Sequence, residues 1–182
     1  MKPIKRIAVY CGASPGAEKI YAEQAFLLGA MLADRKTGIV TGGGKVGLMN
    51  CVTNGALEHG GSVTGVLPKF LNTESLAHEH LTKKIIVRTM HERKQRMYEL
   101  SDAAIALPGG YGTMDELFEM LAWAQLGLHE KPIGLLNING FYDQLLHFLM
   151  RMNSEQFLQE RHRHLLIVHN NVAELLSLIL NY

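Results

Sequence analysis

Three turns of the chain place glycine directly after an apolar run, where backbone groups are able to bind an anion. They contain Gly12, Gly42-Gly43-Gly44 and Gly109-Gly110-Tyr111-Gly112. Glycine lets backbone N–H groups approach a ligand that a Cβ would keep away. A helix that begins next adds unpaired N–H donors and the positive end of its dipole. Tight packing explains any one of these turns equally well, but the three together favour a ligand that carries a phosphate.

Glu116 follows the last glycine turn and has two interpretations. In the first, Thr113 and Glu116 form a capping box, in which each side chain bonds an orphan amide at the start of a helix. In the second, Glu116 lies one turn inside an anion-binding helix terminus. A carboxylate there stabilises an oxocarbenium ion or activates water beside a bound sugar. The T-x-x-E spacing alone favours the capping box.

A charged cluster, Met90-His91-Glu92-Arg93-Lys94, begins another expected helix. The simple interpretation is a solvated helix face. However, basic residues at a helix N-terminus oppose the helix dipole, so they need a compensating charge. We expect either a bound anion or an acidic partner such as Glu116 beside Arg93 and Lys94.

The elements that must position these residues alternate along the chain. Short β-branched runs predict strands at 7–10, 38–41, 62–67, 84–88, 103–107, 133–138 and 165–168. Apolar spacing of helical period predicts helices at 17–35, 48–59, 91–100, 114–126, 141–152 and 172–180, and the polar stretch 70–82 predicts a loop with a short helical piece. This alternation predicts an α/β fold: a single doubly wound, Rossmann-like parallel sheet with helices on both faces, as one domain over 1–182. Ligands of such sheets bind at the carboxyl ends of the strands.

Composition excludes several classes of protein. The 182 residues are 47% hydrophobic and carry 18 basic against 17 acidic side chains. That balance argues against nucleic acid or an anionic membrane as a partner. The two cysteines, Cys11 and Cys51, form no C-x-x-C pair, and no apolar segment has the length of a membrane span. These features predict a reduced cytoplasmic protein.

Known cofactor and metal motifs fit poorly. Gly44-Lys45 is similar to the end of a P-loop, but Val46 stands where Ser or Thr would bind magnesium. Lys45 also lacks a partner for the ring nitrogen of pyridoxal phosphate. The pairs in His78-Glu79-His80 and His162-Arg163-His164 have a spacing that does not place both rings on one helix face. We therefore expect neither a metal nor an organic cofactor.

The charged and glycine motifs together resemble the "lonely guy" family, the cytokinin riboside 5'-monophosphate phosphoribohydrolases long mislabelled as lysine decarboxylases. The resemblance runs from Ile7 to about Tyr142 and rests on Gly42–Gly44, Met90–Lys94, Pro108–Thr113, Glu116, Trp123–Gly127 and Lys131–Asn137. It implies hydrolysis of the N-glycosidic bond of a purine nucleoside 5'-monophosphate, either of cytokinin type or AMP. The products would be free base and ribose 5-phosphate. It also implies a homodimer with its sites near the interface.

The same resemblance implies roles for single residues. Glu116 and Arg93 match the catalytic positions. The candidate substrate-binding residues are Ser14, Gly42, Gly43, Gly44, Glu74, Met90, Lys94, Gly109, Gly110, Tyr111, Gly112, Thr113, Met114 and Asp115. Two departures from the family pattern, Ala13 in place of a second serine and Ala122 in place of a threonine, bear on base preference more than on the reaction.

A nucleotide-binding sensor or carrier without hydrolytic activity is the alternative function. Its fold and glycine turns would be the same. The pairing of Arg93 with Glu116 favours an enzyme, because a protein that only binds an anion needs no carboxylate beside that anion.

Overall fold

Strands and helices alternate from Arg6 to Leu180 in a computed structural model that describes residues 3–182. The strands are β1 (Arg6–Tyr10), β2 (Gly38–Thr41), β3 (Val63–Pro68), β4 (Lys83–Val87), β5 (Ala103–Ala106), β6 (Ile133–Leu136) and β7 (Leu166–His169). The helices are α1 (Lys19–Asp34), α2 (Gly47–Glu58), α3 (Met90–Leu100), α4 (Tyr111–Gln125), α5 (Asp143–Ser154) and α6 (Val172–Leu180). Short 3-10 helices occupy Lys69–Leu71, Ile138–Gly140 and Glu160–Leu165.

All seven strands form one parallel sheet in the order β4-β3-β2-β1-β5-β6-β7. The predicted doubly wound α/β fold is confirmed. The strand order reverses direction at β1, whose neighbours are β2 and β5. The connections on either side of that point leave on opposite faces, which opens a crevice at the carboxyl ends of β1 and β5.

Two apolar layers cover the sheet because alternate residues of each strand point to opposite faces. Ile7 and Val9 of β1 pack with residues of α1, α2 and α6. Ala8 and Tyr10 pack with residues of α3, α4 and α5. Strands β1, β2, β5 and β6 are therefore buried on both faces, and their near-continuous apolar sequences follow from that position.

The segment between β3 and β4 has little regular structure, as its polar sequence predicted. After the 3-10 helix at Lys69–Leu71, the chain turns back towards the second glycine turn. There Ala77 pairs with Gly44 in an isolated antiparallel bridge. Within residues 3–182, no helix combines the length and the hydropathy that crossing a bilayer requires.

Candidate active site

A cavity of about 720 Å³ lies at the carboxyl ends of the strands, where the strand order reverses. All three glycine turns contribute to its lining. The predicted site residues that line it are Ser14, Gly42, Gly44, Arg93, Gly109, Gly110, Gly112, Thr113 and Glu116. The volume falls within the range usual for small-molecule sites.

The other predicted site residues lie outside this lining. Gly43 is a buried member of the second glycine turn, and its backbone carbonyl accepts a hydrogen bond from the His78 amide. Tyr111 is 97% exposed. The remaining ones are Glu74, Met90, Lys94, Met114 and Asp115, and two of these, Lys94 and Asp115, form an ion pair with each other.

Arg93 and Glu116 face each other across the crevice. Arg93 Nη1 lies 3.4 Å from Glu116 Oε1, and the two side chains are only 11% and 10% exposed. Arg93 Nε also donates to the Val66 carbonyl at 3.2 Å. The guanidinium lies directly against the backbone of Gly42, where any Cβ would collide with Nη2. The acidic partner expected for Arg93 is therefore Glu116.

Burial is the largest influence on the carboxyl group of Glu116 and raises its pKa to about 7. The neighbouring carboxylates Asp115 and Glu119 act in the same direction. The positive charges of Arg93 and Lys94 oppose the rise. A carboxyl group with a pKa near neutrality exchanges protons readily at physiological pH, which suits a general acid or base.

The capping-box interpretation of Thr113 and Glu116 is wrong. Helix α4 begins at Tyr111, with Gly110 as its N-cap, so Thr113 lies inside the first turn. A pair of side-chain caps related to a capping box occurs at the start of α3, whose N-cap is Thr89. There Thr89 Oγ1 accepts from the Glu92 amide, and Glu92 accepts from the amide of Arg88. Glu92 therefore stabilises the helix start, while the Glu116 carboxylate is directed at Arg93.

Lys94 joins α3 to α4 beside the pair of Arg93 and Glu116. Its Nζ lies 3.0 Å from Asp115 Oδ2 and 3.0 Å from Glu119 Oε1. Burial opposes the charge on Lys94, but the hydrogen bonds to the two carboxylates outweigh it and raise the lysine pKa. Glu119 was missed in the sequence analysis. Its only signal was a position one turn after Glu116 on the same helix.

The start of α4 presents backbone rather than side chains to the cavity. A Cβ on Gly109 would collide with Thr113 Oγ1, so packing alone requires that glycine. Gly110 and Gly112 differ, because no described atom lies within 4 Å of the place that a Cβ would occupy. Both line the cavity, so their missing side chains leave room for a ligand at the helix N-terminus.

Apolar side chains form the rest of the walls, and sequence analysis did not identify them. On the side of β2 and β3 they are Met49, Leu67, Leu71 and Leu76, and on the side of β6 they include Tyr21 and Phe141. These residues come from six separate segments, and no motif marks them. Cys11 also lines the cavity, but burial raises the pKa of its thiol, which disfavours a nucleophilic thiolate.

This arrangement suits a phosphorylated sugar. The free amides and the dipole at the start of α4 are suited to an anion, and the Glu116 carboxylate lies one turn further along the same helix. A carboxylate at that depth stabilises positive charge on a sugar carbon or directs water at it. The apolar walls are suited to a heteroaromatic group.

Comparisons with known proteins agree with this chemistry. A family model described as possible lysine decarboxylase matches residues 49–179. A cytokinin riboside 5'-monophosphate phosphoribohydrolase of Arabidopsis thaliana is 43% identical over 173 residues, which cover 95% of this chain and 76% of the relative. One of the same name from Oryza sativa subsp. japonica is 43% identical over 178 residues, covering 98% of this chain and 74% of the relative.

Solved structures show the same fold at lower identity. A molybdenum cofactor binding protein from Rippkaea orientalis has a TM-score of 0.74 at 23% identity and covers 98% of this chain and 97% of its own. That likeness concerns the fold. In sequence, the chain belongs to the family matched by the possible lysine decarboxylase model, the family of the cytokinin riboside 5'-monophosphate phosphoribohydrolases.

Proposed function

We propose that this protein hydrolyses the N-glycosidic bond of a purine nucleoside 5'-monophosphate to free base and ribose 5-phosphate. The observation that carries the proposal is the buried pair of Arg93 and Glu116, 3.4 Å apart, beside the glycine-rich start of α4. The relatives' names support it, since each names a phosphoribohydrolase. The name of the family model receives no support from the site, because pyridoxal phosphate chemistry needs a lysine and Lys45 does not line the cavity.

The roles of Glu116 and Arg93 follow from the positive charge that develops on the ribose as the base leaves. The bond between C1' of the ribose and the purine nitrogen breaks, and its electron pair leaves with the base. The ribose then carries positive charge, which the ionised Glu116 stabilises. Water adds its oxygen to C1', Glu116 accepts one water proton, and that proton finally passes to the base. Arg93 holds the carboxylate in place and keeps a fraction of it ionised in spite of burial.

Phosphate binding supplies the orientation. Anchoring the 5'-phosphate at Gly110 and Gly112 fixes the end of the substrate that does not react. Binding energy from that end then positions C1' at Glu116, which lowers the barrier without any contact to the base. We propose a cytokinin-type nucleotide or AMP as the substrate, on the strength of the relatives' names and of the apolar walls beside the pair.

The experiment is incubation of the purified protein with AMP and, separately, with isopentenyladenosine monophosphate, with chromatography of the products. Hydrolysis of the N-glycosidic bond gives free base and ribose 5-phosphate in equal amounts. Release of a nucleoside and phosphate would contradict the proposed bond. Tight binding of either nucleotide without products would favour the carrier function instead.

We also propose a cytoplasmic homodimer. Both cysteines are unpaired, as a reducing compartment would keep them. Large apolar side chains are exposed around the end of α4 and on and after α5, and one of them, Met150, lines a groove of about 360 Å³ between these helices. The residues are Leu126, Leu128, Phe148, Met150 and Phe157. A second copy that packs against this face would bury them.

A further inference from the structure

One wall of the cavity belongs to a segment with little regular structure. Residues 72–80, named here the strap, run antiparallel to the second glycine turn. The Lys45 amide donates to the Leu76 carbonyl at 2.9 Å, and the His78 amide donates to the Gly43 carbonyl at 2.8 Å. Leu76 lines the cavity. The strap thus presents an apolar side chain to the ligand site. Besides the two backbone hydrogen bonds, an exposed ion pair between Lys45 and Glu79 at 3.3 Å joins the strap to the glycine turn, and such contacts hold a strand pair weakly.

His78 attaches the strap to the body of the protein. The residue is 4% exposed, and its ring lies against α2. Its Nε2 is 3.0 Å from Asn54 Oδ1, and its Nδ1 accepts the His80 amide at 3.2 Å. An amide N–H bonds only an unprotonated ring nitrogen, so these partners assign the neutral tautomer with its hydrogen on Nε2.

A nucleotide bound in the orientation of the proposed function has its base near the strap. Its phosphate is at the start of α4, which follows β5, and its C1' is at the pair of Arg93 and Glu116. Arg93 reaches across to Gly42 and to the Val66 carbonyl at the ends of β2 and β3. On this side of the cavity the lining includes Leu76, whose carbonyl accepts from the Lys45 amide just after β2. This step rests on the proposed function.

We propose that His78 is a positioning residue: its neutral imidazole fixes the strap, and thereby Leu76, as the wall against which the purine base binds. His78 itself does not line the cavity. It therefore acts on the base through the strap and not on the reacting atoms. Fixing the wall in advance increases the fraction of protein that is ready to bind the base.

Protonation of His78 would break the turn that its ring closes within the strap, while the bond from Nε2 to Asn54 remains. A hydrogen on Nδ1 removes the acceptor for the His80 amide and sets two N–H groups against each other. The charged groups around the ring are His80 and Glu79 in the strap and Lys84 on β4. Burial, His80 and Lys84 lower the pKa of His78, and Glu79 opposes them. The neutral form thus dominates at neutral pH, and affinity for the base falls as the pH drops through the pKa of His78.

The test compares a substrate that has a base with a ligand that lacks one. In His78→Gln, we expect the KM for AMP to rise about tenfold, the loss of one to two hydrogen bonds, while kcat stays within about twofold. The inhibition constant of ribose 5-phosphate should not change. His129→Gln is the matched control, because that ring makes the same two kinds of bond, to the Met120 carbonyl and from the Lys131 amide, away from the cavity.

A second variant tests the protonation state. Asn54→Asp places a carboxylate at the Nε2 of His78, which favours the imidazolium. We expect the rise in KM for AMP at acid pH to move to higher pH, with the ribose 5-phosphate constant again unchanged. A merely structural role would not produce this shift.

Three results would overturn the proposal. In His78→Gln, these are a loss of kcat at constant KM, or an equal loss of affinity for AMP and for ribose 5-phosphate. In Asn54→Asp, it is a KM for AMP with the same pH dependence as in the wild type. Failure of the proposed function is distinguishable. If the protein releases no base, the dissociation constants of AMP and ribose 5-phosphate are measured in place of KM and the inhibition constant. The variants should then weaken binding of AMP and leave binding of ribose 5-phosphate unchanged.

Discussion

At the scale of single residues, the site depends on a carboxyl group kept in an unfavourable place. Water would stabilise the charge of Glu116 far better than the crevice does, and its side chain is only 10% exposed. Arg93 compensates for this in part, yet the carboxyl pKa remains raised, to about 7. A charge that is poorly solvated in the free protein is available to stabilise a positive ribose.

The raised pKa of Glu116 predicts that this carboxyl group destabilises the folded protein above neutrality. Its ordinary value is 4.5, so as the pH rises from 4.5 to about 7 the unfolded chain loses the proton and the folded chain keeps it. The free energy of unfolding of the wild type should therefore fall over this range, by up to about 3 kcal/mol relative to Glu116→Gln, which cannot ionise.

Urea unfolding of wild type and Glu116→Gln at about pH 5 and about pH 8 measures this difference. The free energy of unfolding of Glu116→Gln should be higher, relative to that of the wild type, at about pH 8 than at about pH 5. Free energies that change in parallel with pH would contradict the burial of an ionisable carboxyl group.

At the scale of secondary structure, the start of α4 explains why glycine stands where it does. Gly112 lies in the first turn of the helix, where alanine is favoured over glycine by about 1 kcal/mol. No described atom blocks a Cβ there, so the fold does not require glycine. We expect Gly112→Ala to keep or slightly raise the melting temperature and to raise the KM for AMP, because the methyl group enters the phosphate site.

Calorimetry gives the melting temperature of Gly112→Ala, and steady-state kinetics on the same preparation give its KM for AMP. Gly109→Ala is the contrasting variant, since its Cβ meets Thr113, and it should lose stability. An unchanged KM in Gly112→Ala would mean that the phosphate binds elsewhere.

The ion pairs that Lys94 makes between α3 and α4 predict how the pH dependence of kcat changes when this lysine is replaced. Turnover of the wild type should rise with pH through about 7, as Glu116 ionises. Lys94 lowers the pKa of Glu116 and neutralises Asp115 and Glu119. Lys94→Met should therefore move the rise in kcat to higher pH. Arg96→Met, which removes an exposed ion pair with Glu99 on the same helix, should leave the profile in place.

Sequence predicted the elements of regular period and the motif residues, but not the contacts between distant segments. Strand β5 was predicted well because an apolar run between polar residues has few other interpretations. The start of α4 was placed three residues late, because Thr113 and Glu116 have the spacing of a capping box while the true N-cap, Gly110, has no side chain. Leu76 and His78 lie in the strap, whose position depends on Gly43 and Asn54, and no local pattern encodes those bonds.

At the scale of the whole molecule, strand order assembles the site. The three glycine turns are about 30 and 67 residues apart in sequence, yet they follow β1, β2 and β5, which are neighbours in the sheet. The sheet also leaves α4 and α5 side by side on one face, with exposed apolar residues around their ends. That face is where we propose the second copy.

The proposed dimer predicts which surface substitution changes the molecular mass. Phe148→Asp, on the exposed face of α5, should give a monomer because the charge would be buried in the interface. Leu178→Asp, at another exposed apolar position, on α6, should remain a dimer. Light scattering after size-exclusion chromatography distinguishes one chain from two. A wild type with the mass of one chain at assay concentrations would contradict the proposal.

If Glu116 performs the chemistry beside Arg93, turnover of Glu116→Gln with saturating nucleotide must show the loss of the carboxylate. Glutamine retains the shape of the side chain and loses its charge and its proton transfer. We expect kcat to fall about 10²–10⁴-fold while the folded protein still binds the nucleotide. A folded Glu116→Gln variant that releases free base at the wild-type rate would contradict a catalytic role for Glu116.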